Sequence, residues 1–312
     1  MRKILITGAS GFLGKHTVEA FKKNNPDDLI TTVDSSDYDL TQQQAVASMF
    51  NEIQPEYVVH LAARSGGIGT NRTEPADYYY KNLQLITLTL HEAWRSGVKN
   101  ILIPMGGCSY PATAKSPIGE DQMWEGFPQI QSAGYSMAKK MALVQSWAYR
   151  EQYGFKSTIV IPGNMYGEYD NFSLEDSHVV PAMIRKLHHA KQNNLPEVTF
   201  WGTGKPQRDF VYVGDVAKTL PYFLFDYNES DPVNISSGKW FTIGSTAAVI
   251  SDLIGYKGKL RWDTSKPDGQ MVKIFDVSKL KSLGLECDAP FGPMLYKVIK
   301  WYEENYPKGV RL

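Results

Sequence analysis

Lys3-Ile4-Leu5-Ile6-Thr7-Gly8-Ala9-Ser10-Gly11-Phe12-Leu13-Gly14 is the stretch that decides the fold of this chain. Its first five residues are an apolar run of strand length, the pattern of a strand buried on both faces. A helical pattern through Val18, Ala20 and Phe21 follows the glycines. Strand, glycine loop and helix, in that order, are the context a dinucleotide fingerprint requires. Gly8 would permit the tight turn, Gly11 the close approach of a pyrophosphate, and Gly14 the packing of helix on strand. The anion would then rest on the helix N-terminus. The plain alternative is a glycine-rich turn without a ligand.

Outward from this loop, Leu29–Val33 reads as a second strand ending at Asp34. A carboxylate there binds both ribose hydroxyls of NAD and repels the extra phosphate of NADP. No arginine follows it, so NAD(H) is favoured, with NADP(H) as the alternative if Ser35 and Ser36 hold a phosphate. Asp39-Leu40 is expected to open a helix, with Thr41 as its N-cap. Tyr57–Ala63 reads as a third strand running into small residues, where a cofactor can lie close. His60 within it is read as a packed core histidine. A helix around 78–96, a strand over 99–103, a helix from Tyr135 and a strand over 157–161 continue the alternation. That order predicts an α/β fold with a doubly wound parallel sheet. Ligands of such sheets lie beyond the carboxyl ends of the strands, here at Met105–Pro111.

The length, 312 residues, suits two lobes sharing an interface. Lys plus Arg equals Asp plus Glu at 33 each, which argues against nucleic acid or a membrane surface as a bulk electrostatic partner. No signal-like segment or membrane-length apolar run occurs, so a cytoplasmic protein is expected. Cys108 and Cys287 make neither a disulfide framework nor a metal cluster.

Tyr135-Ser136-Met137-Ala138-Lys139 places a phenol and an ammonium on one helix face. A neighbouring ammonium favours the phenolate, which would bring the tyrosine into range for proton transfer. Among 18 tyrosines such a spacing arises by chance about once, so its weight comes from its neighbours.

Those neighbours carry a resemblance. Gly8/Gly11/Gly14, Asp39-Leu40, Leu61-Ala62-Ala63, Tyr135/Lys139 and Pro162-Gly163-Asn164-Met165-Tyr166-Gly167 resemble the extended short-chain dehydrogenase/reductase family. Further stretches are similar to its GDP-L-fucose synthase branch, the 3,5-epimerase/4-reductases of GDP-4-keto-6-deoxy-mannose. They are Gly66-Gly67-Ile68 with Asn71, Pro75-Ala76-Asp77, Cys108 ahead of Tyr110-Pro111, and Asp170-Asn171-Phe172 with Ser177-His178-Val179-Val180-Pro181. Trp201-Gly202-Thr203-Gly204, Arg208-Asp209-Phe210 and Lys266-Pro267-Asp268-Gly269 with Asp276-Val277-Ser278 complete the series.

The resemblance implies a Rossmann domain over 1–165, joined by part of 205–245, and a smaller, mainly nucleotide-sugar-binding α/β lobe over 166–312. It implies a cofactor held by Gly8, Gly11, Phe12, Leu13, Asp34, Asp39, Leu40, Leu61, Ala62, Ala63, Asn164, Tyr135 and Lys139. Cys108 and His178 would exchange protons on opposite faces of a 4-keto sugar, and Tyr135 would protonate the C4 oxygen. Lys139 would hold the nicotinamide ribose and lower the tyrosine pKa. A thiol titrating near about 8.5 needs a positive neighbour to serve as a base. Asn171, His178, Val179, Trp201, Arg208 and Lys266 would bind a GDP-linked hexose or heptose, in a homodimer joined through the helices around 78–96 and 135–152. The bland readings are a small buried hydrophobe for Cys108, a helix-terminal surface residue for His178 and core packing for Trp201. For Arg208 and Lys266 they are a surface ion pair and an exposed turn lysine.

One position departs from the family pattern. Family members carry serine or threonine four residues before the tyrosine of the Tyr-Pro pair, where this chain has Gly106. Losing such a donor costs about two to three orders of magnitude in rate. Two other readings therefore stay open: a GDP-sugar epimerase or dehydrogenase with tightly held NAD(H) and a weakened reductase step, and a non-catalytic NAD/GDP-sugar-binding regulator.

Overall fold

The structure, a computed structural model, describes residues 1–312 apart from the side chain of Ile68, which lies outside the described residues. The chain begins β1 (Lys3–Thr7), α1 (Phe12–Asn24), β2 (Leu29–Val33), α2 (Gln43–Ile53) and β3 (Tyr57–His60). Next come α3 (Ile68–Thr73), α4 (Pro75–Arg95), β4 (Asn100–Pro104), α5 (Ala133–Tyr153) and β5 (Ser157–Pro162). The later part runs β6 (Asn164–Tyr166), α6 (Val179–Gln192), β7 (Glu197–Trp201), β8 (Gln207–Tyr212), α7 (Val213–Phe225) and β9 (Val233–Ile235). It ends with β10 (Trp240–Thr242), α8 (Ile243–Ile254), β11 (Lys259–Asp263), β12 (Val272–Lys273), α9 (Ser278–Ser282) and α10 (Phe291–Asn305).

Six parallel strands form the central sheet in the order β2-β1-β3-β4-β5-β9. The chain leaves β1 towards β2 and returns on the other side at β3, which opens a crevice between β1 and β3 at their carboxyl ends. Such a switch point is where Rossmann-type sheets take their ligands. Successive residues of β1 supply both faces. Leu5 packs with Val58, Ile86 and Ile101 towards α2 and α4, whereas Ile4 and Ile6 pack with Phe21, Val216 and Leu220 towards α1 and α7. Each such side chain, fully buried, contributes about 1.5–3 kcal/mol. That is why the strand reads as a continuous apolar run.

A second core gathers Met183, Ile184 and Leu187 of α6 with Ile250 of α8 and Val298 of α10. β8 carries β6, β10 and β12 as neighbours, while β7 pairs β11. No helix among the described residues is long and apolar enough to cross a membrane, and no group of three or more His, Cys, Asp or Glu could hold a metal.

Two local expectations are corrected. β3 stops at His60 rather than Ala63: the Leu61 amide still reaches the Thr7 carbonyl, but the Ala62 amide turns to the Thr7 hydroxyl at 3.3 Å. A ladder ends once its amides find side-chain acceptors. Asp39-Leu40 does not open a helix, and Thr41 caps none. Instead the Thr41 amide and hydroxyl both donate to the Asp39 carboxylate, at 3.0 and 2.7 Å, and α2 begins at Gln43. Asp and Thr two apart close a local turn of their own, which competes with helix initiation.

Candidate active site

The crevice between β1 and β3 is lined by backbone. Gly8 has φ +67°, a left-handed conformation, and a Cβ there would stand 2.7 Å from the Ala62 nitrogen. A Cβ on Gly14 would overlap the Gly8 carbonyl oxygen. α1 starts at Phe12 with Gly11 before it and no side-chain cap, so its first amides remain free to receive an anion. A dinucleotide fits a cradle of this kind. At the end of β2, Asp34 accepts the Ser10 hydroxyl at 2.8 Å, and the Asp37 carboxylate accepts the Asp34 amide at 2.8 Å. Among the described residues no basic side chain pairs with either acid. Leu61, Ala62 and Ala63 are half-buried beside Gly8, and Phe12 and Leu13 are half-buried at the start of α1. Leu40 is packed into the core, while Asp39 is exposed and spent on its own turn. Asn164 donates to the Asp209 carbonyl at 3.0 Å.

Within the Tyr135 helix, α5, Lys139 is buried and its Nζ donates to the Pro104 carbonyl at 3.3 Å, at the end of β4. Burial pushes this amine down to about 8. Tyr135 moves the opposite way from expectation. Burial drives its phenol well above the ordinary tyrosine value, with Cys108 and Tyr78 adding to the rise. Both of those neighbours ionise to anions, while the nearby ammonium is itself desolvated and held on a carbonyl, so it does not offset the burial.

Gly106 and Cys108 lie against this phenol. A Cβ on Gly106 would stand 3.0 Å from the Cys108 sulfur and 3.7 Å from the Tyr135 hydroxyl oxygen. Cys108 sits half-buried in the short 107–109 turn, so the buried-hydrophobe reading does not hold. The Cys108 charge is felt at Lys139 and Lys273, where it opposes the lowering of both amines by burial. The amines of Lys139 and Lys273 thus stand near the thiol. Ser109 does not replace the missing hydroxyl. It is buried and donates to the Ser136 carbonyl at 3.0 Å.

His178 precedes α6 as its N-cap residue, with its side chain 61% exposed. Its Nδ1 lies 3.8 Å from the buried Asp170 carboxylate, which raises the imidazole above its ordinary value. The 170–178 loop is tied to Tyr135 through groups that sequence reasoning missed. Asp176 accepts the Gly67 amide at 2.5 Å and the Thr70 hydroxyl. Thr70 in turn meets the Tyr78 hydroxyl at 2.9 Å, and the Tyr78 ring stands edge-on to Tyr135 at 6.4 Å. Asn171 donates to the Asp176 carbonyl at 2.8 Å, which folds the loop on itself. In the sequence, the only signal for this brace is the Gly66–Asn71 stretch of the resemblance.

Arg208 on β8 donates to the Gln207 and Gln270 carbonyls at 2.7 and 2.6 Å. Among the described residues no carboxylate pairs with it, so the surface ion-pair reading fails. Lys273 is its register partner on β12, and nothing in the linear sequence announces this second cation. Trp201 is 68% exposed rather than core, with the Lys266 ammonium 5.9 Å from its ring centre. Asp268 clamps the Thr203 amide and hydroxyl at 2.8 and 2.7 Å, holding the 266–269 turn beside Trp201. Val179 is half-buried in the first turn of α6. Lys273 thus neighbours both Arg208 and the Cys108 thiol, so these cations, the thiol and the Tyr135 phenol beside it form one group.

Known proteins share this fold. Residues 4–236 match the model of the NAD dependent epimerase/dehydratase family. GDP-L-fucose synthase 1 of Arabidopsis thaliana is 38% identical over 303 residues, covering 97% of this chain and 94% of that protein. A GDP-L-fucose synthetase from Naegleria fowleri, solved bound to NADP, superposes with a TM-score of 0.92 at 30% identity, over 99% of this chain and 96% of that one. A GDP-6-OMe-4-keto-L-xylo-heptose reductase from C. jejuni does so at 0.91 and 27%, over 97% and 98%. This chain therefore belongs to the NAD dependent epimerase/dehydratase family, the extended short-chain dehydrogenase/reductases, and is similar to its GDP-L-fucose synthase members.

Proposed function

We propose that this protein is a GDP-4-keto-6-deoxy-sugar 3,5-epimerase/4-reductase, acting on a hexose or heptose. The observation that carries the reading is the meeting of Cys108 and Tyr135 around Gly106, with Arg208 and Lys273 as paired cations on neighbouring strands. The guanidinium fork of Arg208, already braced by two carbonyls, receives the diphosphate, and Lys273 adds charge. Trp201 and Lys266 flank the base, while Asn171 and Val179 line the sugar end. The ring hydrogens at C3 and C5 are acidic because each lies alpha to the C4 carbonyl. Cys108 removes a proton from one face and His178 returns one from the other. Asp170 raises the imidazole above its ordinary value, which suits His178 to the proton-donor role. A reduced nicotinamide, when bound, supplies hydride to C4. Tyr135 holds the proton destined for the C4 oxygen, and its raised pKa keeps that proton in place until alkoxide character develops. Lys139 lies one helical turn away, to bind the ribose.

Asp34 and Asp37, without a basic partner, support NAD(H) over NADP(H). Exposed Tyr80 on α4, with Val144 and Trp147 on α5, supports a homodimer through these helices. Gly106 supports one further reading, a GDP-sugar epimerase or dehydrogenase with tightly held NAD(H) and a weakened reductase step. Mass spectrometry of GDP-4-keto-6-deoxy-mannose incubated with the protein in heavy water, with NADH or NADPH, separates these. Deuterium uptake with a two-electron mass gain is the expected result, larger with NADH. Uptake without reduction favours the weakened reductase, and neither change means that the substrate assignment is wrong.

A further inference from the structure

Gly106 leaves a small volume at the carboxyl end of β4. A Cβ placed there would stand 3.0 Å from the Cys108 sulfur, 3.3 Å from Tyr135 Cε1 and 3.7 Å from the Tyr135 hydroxyl oxygen. The sulfur and the phenol therefore border the same space. Other hydroxyls nearby are committed elsewhere: Ser109 to the Ser136 carbonyl at 3.0 Å, and Tyr78 to Thr70 at 2.9 Å. A side chain on Gly107 would collide with the Phe275 ring, so the turn cannot supply a donor from that position either.

We propose that the C4 carbonyl oxygen of the substrate is received in this volume by two donors, the Tyr135 hydroxyl and the Cys108 thiol. Cys108 then positions the ketone for reduction as well as exchanging ring protons. The inference rests on the functional reading above. It also follows from the shape of the substrate: C3 and C5 both adjoin C4, so a thiol that reaches their hydrogens lies close to the C4 oxygen. The thiol produced by taking up a ring proton is the form that donates, since a thiolate would repel the developing alkoxide. In the reduction itself a C4–H bond forms from hydride supplied by a reduced nicotinamide. The carbonyl π pair moves to oxygen, and the Tyr135 proton follows it. Sulfur keeps its proton and is neither oxidised nor reduced.

Three variants test this: Cys108→Ser, Cys108→Ala and Gly106→Ser combined with Cys108→Ala. Serine is too weak an acid to exchange ring protons near neutrality, so all three lose deuterium uptake, and the comparison isolates the donor. Reduction, read as the two-electron mass gain, should be at least about tenfold slower in Cys108→Ala than in Cys108→Ser, because a lost donor to a developing oxyanion has a cost of that order or more. The double variant should recover most of that loss by restoring a hydroxyl at residue 106. A readout that needs no turnover is the infrared carbonyl band of substrate labelled with carbon-13 at C4 and bound without nicotinamide. Its band should lie lower in wild type and Cys108→Ser than in Cys108→Ala. Calorimetric binding of GDP establishes that each variant is folded. Equal reduction rates and equal band positions in the serine and alanine variants, with an active wild type, overturn this proposal alone. A wild type that neither exchanges nor reduces overturns the functional reading and this proposal with it.

Discussion

At Gly8 a hydrogen in place of a methyl group lets the crevice between β1 and β3 close. The residue combines a left-handed backbone with the Ala62 amide only 2.7 Å from where a Cβ would be. Gly8→Ala therefore adds overpacking of about 1–3 kcal/mol to a left-handed strain of about 1–2 kcal/mol. Urea unfolding should show a lower midpoint at unchanged slope, and fluorescence titration should show weakened nicotinamide binding. A variant that binds and unfolds like wild type would mean that the backbones can separate freely there. Arg208 makes a second residue-scale case. One nitrogen of its fork already donates to two carbonyls, and no carboxylate among the described residues pairs with the guanidinium. Arg208→Lys keeps the charge but loses the fork, and calorimetry should find GDP binding weakened about tenfold, on the order of 1.4 kcal/mol. Unchanged affinity would show that the site needs only charge. Gly8 was legible in the sequence because glycine spacing after a strand carries its own chemistry, whereas Arg208 was singled out through the resemblance. Lys273 and Asp176 were not legible. Each acquires meaning only from a partner brought by the fold, Arg208 across a strand pair and Gly67 across a loop.

The paired strands β1 and β3 put a titratable ring inside the sheet. His60 is fully buried, its Nδ1 lies 2.9 Å from the Thr7 hydroxyl, and its Nε2 has no partner. Burial pushes its pKa down to about 3 from an ordinary 6.5. Below pH 6.5 the unfolded chain takes up a proton that the folded sheet refuses, so stability falls as pH drops towards 3. The contribution is about 1.4 kcal/mol per pH unit across that window. Urea midpoints followed from pH 7 to pH 4 should fall less steeply in His60→Asn than in wild type. Parallel slopes would show that the ring is protonated in the folded state. Most elements could be read from apolar runs and helical spacing, because burial on one or both faces imposes those periods. Their ends could not. β3 stops where the Thr7 hydroxyl captures the Ala62 amide, and the expected helix start at Asp39 gives way to an Asp39–Thr41 turn. Both are contests between hydrogen bonds of similar strength, decided at β3 by a neighbour in space and at Asp39 by a side chain two residues away.

Across the whole molecule, the outer surface of α4 and α5 leaves large apolar side chains uncovered, Trp147 being 62% exposed. In the proposed homodimer these side chains are buried between copies. Trp147→Glu places a charge in that contact, and sedimentation should then find a monomer where wild type is a dimer. A variant that stays dimeric would move the contact elsewhere. The alternation of strands and helices along the chain, opened by one strand, glycine loop and helix, was enough to determine a doubly wound parallel sheet, while the switch point between β1 and β3 came from the strand order. It also determined a phenol and an amine on one helix face, because local periods and glycine positions are properties of the chain itself. Which groups meet in the cleft was decided by the tertiary structure. Tyr135 was expected to be made more acidic by Lys139, yet burial and the anion-forming neighbours Cys108 and Tyr78 raise its pKa. Lys273 joins Arg208 only through strand register, and Gly106 matters because Cys108 and Tyr135 close around it. Charge and desolvation act through distance in space, and that distance is not written in the order of the residues.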